Sequence, residues 1–512
     1  MRVLLHDPSR WPAQRAALEE VRSITTFPAL IEVLKRTSHA FDLEEENQFE
    51  GGAFAGVGAL AESVFEKQEE WWSLISYIAD LALRSVALFE AQPLQFLAPG
   101  VSGHATLSRL QAASLNALAL FNALPYAPPN SGWEMPEHLS FRHWLSGAVA
   151  GYADSHKARC LLQYFLRIRH QEGAKDSGDG TGVTISRLVL SAERKAAVNA
   201  AADWLACATP LQPLVVESSP SVGIEDAKGA LQADFANEYI GGGVMIGGTL
   251  QEEIRFSTCP ECLVANLLCP KMQDHEAILL SGVRQYARFT GYGDGFECIG
   301  AHPDPDASIA TVLAIDARAY MGDDRRRQYA SSEMLRELTK LWVGVSGEGW
   351  PEAAAAAVAA NRGRGVGAKG AATFGERPRA RQEAAATASR SGGGRGAESR
   401  RGGKSGSSSG AGRSVAFATG QPFATGNWGC GCFGGDLQLK ALLQWMAASR
   451  AGRAMIYYPF GDSRAAGLEE VSARLLAAKT TVGQLGKLLF NAPEEALRDR
   501  GAFALVLAAV SA

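Results

Sequence analysis

From about Lys157 onward the chain alternates short apolar runs with amphipathic stretches, and this alternation constrains its fold more than any other feature. Runs of strand length fall at Leu214–Val216, Ala277–Leu280, Ala310–Ile315, Met455–Tyr458 and Phe503–Leu507. Helical patterns lie at Cys262–Leu268, Glu333–Trp342, Leu437–Ala448 and Val471–Ala478. Strands interleaved with helices and glycine-rich turns predict an α/β layer structure. Upstream the texture differs. Leu107, Leu110, Ser114 with Leu115, Leu118 and Phe121 recur at three- and four-residue spacing, as do Trp71, Leu74 with Ile75, Ile78, Leu81 and Ser85. Each set makes one apolar helix face. Residues 1–155 are therefore expected to form a helical accessory region, and 156–512 the α/β domain.

The α/β texture breaks at 345–413, a stretch rich in Gly, Ala, Ser and Arg. Beyond an alanine run at Ala353–Ala357 it offers almost nothing that could build a core, so a disordered low-complexity insertion is expected there. Loop closure costs only about 0.6 kcal/mol per doubling of length, which an α/β fold tolerates. Charge is unevenly divided. Between Asn361 and Ser414 twelve Lys/Arg stand against three Asp/Glu, so the chain's net −4 hides +9 there and −13 elsewhere. A body this acidic is not built to hold duplex DNA, because phosphate binding rests on Lys/Arg neutralisation. No apolar run approaches the roughly 20 residues that cross a bilayer, and the start, Met1 to Asp7, lacks the apolar core of a secretory signal. A soluble intracellular chain, nuclear or cytoplasmic, is expected. Eight cysteines are too sparse for a disulfide framework. Cys259 and Cys262, with Cys430 and Cys432, could close a four-ligand zinc site; buried free thiols are the weightier reading, and no metal is assigned.

One segment carries chemistry. Asp234-Phe235-Ala236-Asn237 is followed by Gly241-Gly242-Gly243 and, seven residues later, by Gln251-Glu252-Glu253. Three glycines let backbone approach a ligand and take positive φ, and such a turn can present successive N–H groups to phosphate oxygens without a lysine. Neighbouring side chains on a helix diverge by about 100°, so the two glutamates are expected to play different roles. A phosphate cradle beside a carboxylate suggests glycosidic chemistry on a nucleotide sugar. A flexible loop before a solvated acidic helix start is the bland alternative. The spacing is neither GxGxxG nor GxxxxGK[ST], so dinucleotide and P-loop readings lack support.

The full string resembles the signature of the poly(ADP-ribose) glycohydrolase family. The similarity continues in Thr290-Gly291-Tyr292, in Asn427-Trp428-Gly429-Cys430-Gly431-Cys432-Phe433, and in Tyr457-Tyr458-Pro459-Phe460. Weaker matches lie at Ile224-Glu225, Ala158–Ile168 and Thr481–Leu489, whereas the first ~100 residues show none. The resemblance implies a macrodomain-like mixed sheet flanked by helices, preceded by a helical region. It implies hydrolysis of ribose–ribose bonds in poly(ADP-ribose) on modified proteins, with ADP-ribose as product and without a cofactor. Glu253 matches the family's acid/base, Glu252 the group holding ribose hydroxyls, and Asp234 and Asn237 the strand-end positions supporting the site. Gly241, Gly242 and Gly243 would clasp the diphosphate with the Asn427–Phe433 loop. Gln251 completes the motif, Ile224 and Glu225 match the adenine side, and Tyr292 and Phe460 the stacking rings. Cys432 stands where the family often has a small residue. A monomer is expected, without a specific nucleic-acid site. The alternative is a macrodomain reader that binds ADP-ribose without cutting; the intact Gln251-Glu252-Glu253 argues against it, since a reader needs no acid/base.

Overall fold

The computed structural model describes residues 2–39, 52–126, 132–147, 153–173, 182–219, 221–367, 371–372, 415–416 and 420–511. They are organised by an eight-stranded sheet: β1 (Gly103–Leu107), β2 (Val183–Val189), β3 (Leu214–Val216), β4 (Leu231–Asp234), β5 (Glu276–Val283), β6 (Ala310–Ala314), β7 (Phe423–Gly426) and β8 (Met455–Tyr458). The spatial order is β1-β2-β5-β6-β4-β7-β8-β3. The first four strands in that order pair antiparallel, and from β6 to β3 the strands run parallel. Parallel strands end along one edge, and that edge of an open α/β sheet is where ligands bind.

Both faces of the sheet are covered, and the period of two along each strand decides which residue faces which layer. On β5, Ile278 and Leu280 join one core while Ala277 and Leu279 join the other; on β6, Val312 and Ala314 lie opposite Leu313. The first core runs unbroken into the helical region through the helices Gln68–Leu88, Arg109–Leu120 and Ala153–Gly173. The second is closed by Ser331–Val345, Leu437–Arg450 and the helices that follow β8.

Four of the five expected strands are strands. The fifth is corrected: Phe503–Leu507 lies in the helix Ala502–Ser511. A run apolar on every side carries no period that separates strand from helix. In the fold Ala502, Phe503 and Val506 are the buried residues, at helical spacing. The helical region also holds a strand, β1. Ser108 then starts the next helix with a capping box, accepting from the Gln111 N–H at 3.1 Å while Gln111 Oε1 accepts from the Ser108 N–H at 2.8 Å. The helix Ala153–Gly173 bridges the expected boundary at 155/156. The alanine run read as the start of a disordered insertion forms the helix Glu352–Gly365, with Ala354 and Val358 buried in the second core. The rest of that expected insertion, 373–413, lies outside the described residues. Among the described residues no helix is long and apolar enough to cross a membrane.

Candidate active site

The helix Gln251–Thr258 begins just after the glycine-rich loop that follows β4. Acidic residues suit its first turn, where unpaired N–H groups and the helix dipole favour negative charge. Gln251 clamps this helix to β4: Oε1 accepts from the Phe235 N–H at 2.8 Å and Nε2 donates to the Ala233 carbonyl at 3.2 Å. Glu252 accepts from the N–H groups of Asn237 at 2.8 Å and Gly241 at 2.6 Å. Glu253 accepts from those of Gly243 at 3.0 Å and Leu250 at 2.8 Å. The adjacent glutamates thus hold different parts of the loop, and Glu253 is the more accessible, at 8% exposed against 3%.

The Gly242 N–H donates to the Tyr239 carbonyl at 3.0 Å. All three glycine N–H groups thus meet acceptors within the protein. Their contribution is close approach. Gly242 has φ +51°, and a Cβ there would lie 2.6 Å from Glu253 Oε1 and 2.7 Å from Glu252 Oε2.

Asp234 ends β4 fully buried, and neither of its carboxylate oxygens finds a hydrogen-bond partner among the described residues. Burial raises its pKa to about 7; Arg255 opposes the rise and Glu253 adds to it. Burial, then the charges of Asp234 and Glu253, push Glu252 well above the ordinary carboxylate range, against the pull of the Asn237 and Gly241 N–H groups. Like charges gathered out of water disfavour full ionisation. Asn237 accepts from the Tyr239 N–H through Oδ1 at 3.0 Å, which shapes the turn leading to the glycines.

The second loop, 427–433, leaves the carboxyl end of β7. Asn427 Nδ2 donates to the Pro459 carbonyl at 3.0 Å, and its Oδ1 accepts from the Tyr457 hydroxyl at 2.9 Å. Trp428 is buried, donates through Nε1 to the Ile315 carbonyl at 2.9 Å, and has the Lys440 ammonium 4.1 Å from its ring centre. Arg464 Nη2 donates to the Cys430 carbonyl at 3.0 Å. The side chains of Asn427, Trp428 and the buried Cys430 thus brace the loop, while Cys432 is exposed. The N–H groups of Gly429, Gly431, Cys432 and Phe433 donate to no acceptor among the described residues. Open backbone amides in one turn suit an anion.

Two rings stand exposed at this edge, Tyr292 at 60% and Phe460 at 50%. Tyr292 follows the strand Ala287–Thr290, and the neighbouring Gly293 N–H donates to the Thr249 carbonyl at 3.0 Å, which ties the turn to the start of the glutamate helix. Phe460 follows β8 with φ +52°, an uncommon conformation for a bulky residue. Its ring stacks on Tyr458 at 6.2 Å. On the expected adenine side, Ile224 is fully buried and packs with Tyr458, while the Glu225 carboxylate lies 3.8 Å from the Arg255 guanidinium.

The fold therefore gathers the predicted residues along the carboxyl edge of the parallel strands. It also adds groups that sequence reasoning passed over. Arg255 lies two residues beyond Glu253 and connects Glu225 with Asp234 electrostatically. Lys440 and Lys157 are buried cations from other helices. Lys157 carried a signal, a lysine adjoining the apolar face Ala158, Leu161, Leu162; Lys440 sat unnoticed in a similar setting. All eight cysteines are free, with Cys259 and Cys262 buried.

Comparison with known proteins covers both halves. A family model described as poly(ADP-ribose) glycohydrolase, macro domain fold, matches residues 201–467, and its helical-domain counterpart matches 65–187. The helical match reaches into the first hundred residues, where the motifs alone showed no resemblance. A relative from Arabidopsis thaliana named "Probable poly(ADP-ribose) glycohydrolase 2" is 30% identical over 428 residues, 80% of this chain and 72% of its own. "Poly(ADP-ribose) glycohydrolase 1" of the same plant is 28% identical over 89% of this chain and 84% of its own. "Poly(ADP-ribose) glycohydrolase 1" of Caenorhabditis elegans is 27% identical over 54% of this chain and 29% of its own.

Proposed function

The chain belongs to the poly(ADP-ribose) glycohydrolase family, and on that footing we propose that it hydrolyses the ribose–ribose O-glycosidic bonds of poly(ADP-ribose), releasing ADP-ribose, with Glu253 as acid/base. The observation that carries this reading is the seating of Glu253. Two backbone N–H groups fix its carboxylate at the strand edge that also bears the open amides of the second loop. An ADP-ribose unit would place its diphosphate on the amides of Gly429, Gly431, Cys432 and Phe433, with Tyr292 and Phe460 against its planar and ribose surfaces. Its terminal ribose would then lie toward Glu253. The Glu253 carboxyl protonates the leaving ribose hydroxyl as the glycosidic bond breaks. The resulting carboxylate takes a proton from the water that attacks the oxocarbenium-like centre. Glu252 holds the Asn237 turn and the glycine loop in register for this step. We place the protein in a reducing compartment, nuclear or cytoplasmic, acting as a monomer; the eight free thiols support the reducing compartment.

The test is to incubate the purified chain with poly(ADP-ribose) and identify the product by chromatography. Release of ADP-ribose is expected, whereas polymer bound but left intact would make the protein a reader. Glu253→Gln should bind ADP-ribose yet lose turnover by the ~10²–10⁴-fold typical of an acid/base; near-normal turnover would remove Glu253 from the mechanism. Tyr292→Ala should weaken ADP-ribose binding roughly 5–150-fold, the worth of one stacked base, without lowering the melting temperature of the free protein. A lower melting temperature with unchanged affinity would mean that the ring serves its own turn.

A further inference from the structure

The helical region sends a buried charge to the loop that seats Glu253. Lys157, on the helix Ala153–Gly173, is fully buried. Its Nζ donates to the Val244 carbonyl at 3.1 Å. Trp144 Nε1 donates to the same oxygen at 2.9 Å. Val244 follows Gly243, whose N–H holds Glu253 Oε1. The two donors therefore fix, from outside the α/β layer, the segment on which Glu253 rests.

A buried ammonium needs compensation. Its one ion-pair partner among the described residues is Asp154, at 3.3 Å, and the other oxygen of that carboxylate lies 3.2 Å from His143 Nε2. Asp154 is thus shared between Lys157 and His143. The groups facing it are Asp154 from its own helix, His143 and the neutral Trp144 from Arg142–Ser146, and Glu253 from Gln251–Thr258. For a bond to the Val244 carbonyl alone, the Trp144 indole would suffice, at no cost in buried charge.

We propose that Lys157 is a positioning residue for the hydrolysis, fixing the peptide that seats Glu253. The inference rests on the glycohydrolase reading above. Turnover at saturating poly(ADP-ribose) should fall roughly 10–150-fold in Lys157→Met, the loss of one charged hydrogen bond. Calorimetric affinity for ADP-ribose should stay within about twofold, because no diphosphate-facing amide is touched. Lys157→Arg should restore most of the turnover. Trp144→Phe, which keeps the cation, should lose less. Should Lys157→Met fail to fold, Lys157→Gln, which retains a donor without charge, replaces it in the same comparison. Two results overturn the proposal: unchanged turnover on loss of the charge, or the full loss reproduced by Trp144→Phe. Wild-type protein that leaves the polymer intact would overturn the glycohydrolase reading itself, and so is distinguishable from either.

Discussion

Two glycine-rich loops meet at the carboxyl edge of the sheet, and they use the same residue type for opposite ends. In the loop after β4, the N–H groups of Gly241 and Gly243 are taken by Glu252 and Glu253. Glycine is needed there because the two carboxylates come so close. In the loop after β7, a Cβ on Gly431 would meet nothing within 4 Å. Its backbone is instead left with open N–H groups, and the fixing is done by Trp428, Asn427 and Arg464. Their electrostatics differ as well. Beneath the first loop, burial and neighbouring carboxylates raise the pKa of Asp234 and Glu252. Beneath the second, Lys440 pairs with Glu337 and sits over Trp428. Glycine runs alone therefore do not mark a phosphate site; what the N–H groups already hold decides.

Removing charge should consequently stabilise the protein under the first loop and destabilise it under the second. Asp234 has a folded-state pKa of about 7 against an ordinary 3.8. A raised carboxyl pKa contributes stability that is fully present below pH 3.8 and is lost as pH rises through about 7. Asp234→Asn should thus gain on the order of 4 kcal/mol at pH 8, because each tenfold change in proton affinity is worth about 1.36 kcal/mol. The gain should shrink as pH falls to 5. Denaturant unfolding at the two pH values checks this, and a loss at pH 8 would break the contrast. Lys440→Met, by the same measurement, should cost about 3 kcal/mol, the low end for a broken buried pair, since Arg336 still lies 3.1 Å from Glu337.

Smaller effects separate the loops by function. Glu252→Gln offers one acceptor and one donor to two N–H groups, so one bond is lost and turnover should fall roughly 10–150-fold. Kinetics at saturating polymer read this directly, and an unimpaired enzyme would mean the first loop needs no carboxylate brace. Gly242→Ala forces a Cβ into a left-handed position, at about 1–2 kcal/mol, or roughly 5–30-fold in turnover. Gly431→Ala should be silent in turnover and in ADP-ribose affinity. Equal effects from the two alanines would erase the distinction between the loops.

Much of the fold could be read from the pattern of residues. The strands at 214–216, 277–280, 310–315 and 455–458 stand out as apolar runs of strand length, and the helices at 333–342 and 437–448 by their length and spacing. β2 escaped notice because Thr184, Ser186 and Arg187 interrupt its apolar residues. Arg187 is tolerated inside the sheet because it pairs with Glu276 on the neighbouring β5. The C-terminal run was misread because an all-apolar stretch has no period. The site motif could be picked out as a string, yet which glycine N–H groups were free could not.

The order of residues determined that Glu252 and Glu253 point apart, that both fall in a helix's first turn, and that three glycines precede them, since these follow from spacing and local backbone physics. Only the tertiary structure decided which partners those groups take. It closed the first glycine loop onto its own carboxylates, left the second loop's amides open, and set Lys157 from the helical region behind Glu253. The contact between Lys157 and Val244 spans 87 positions, through a helix packing that local sequence does not encode.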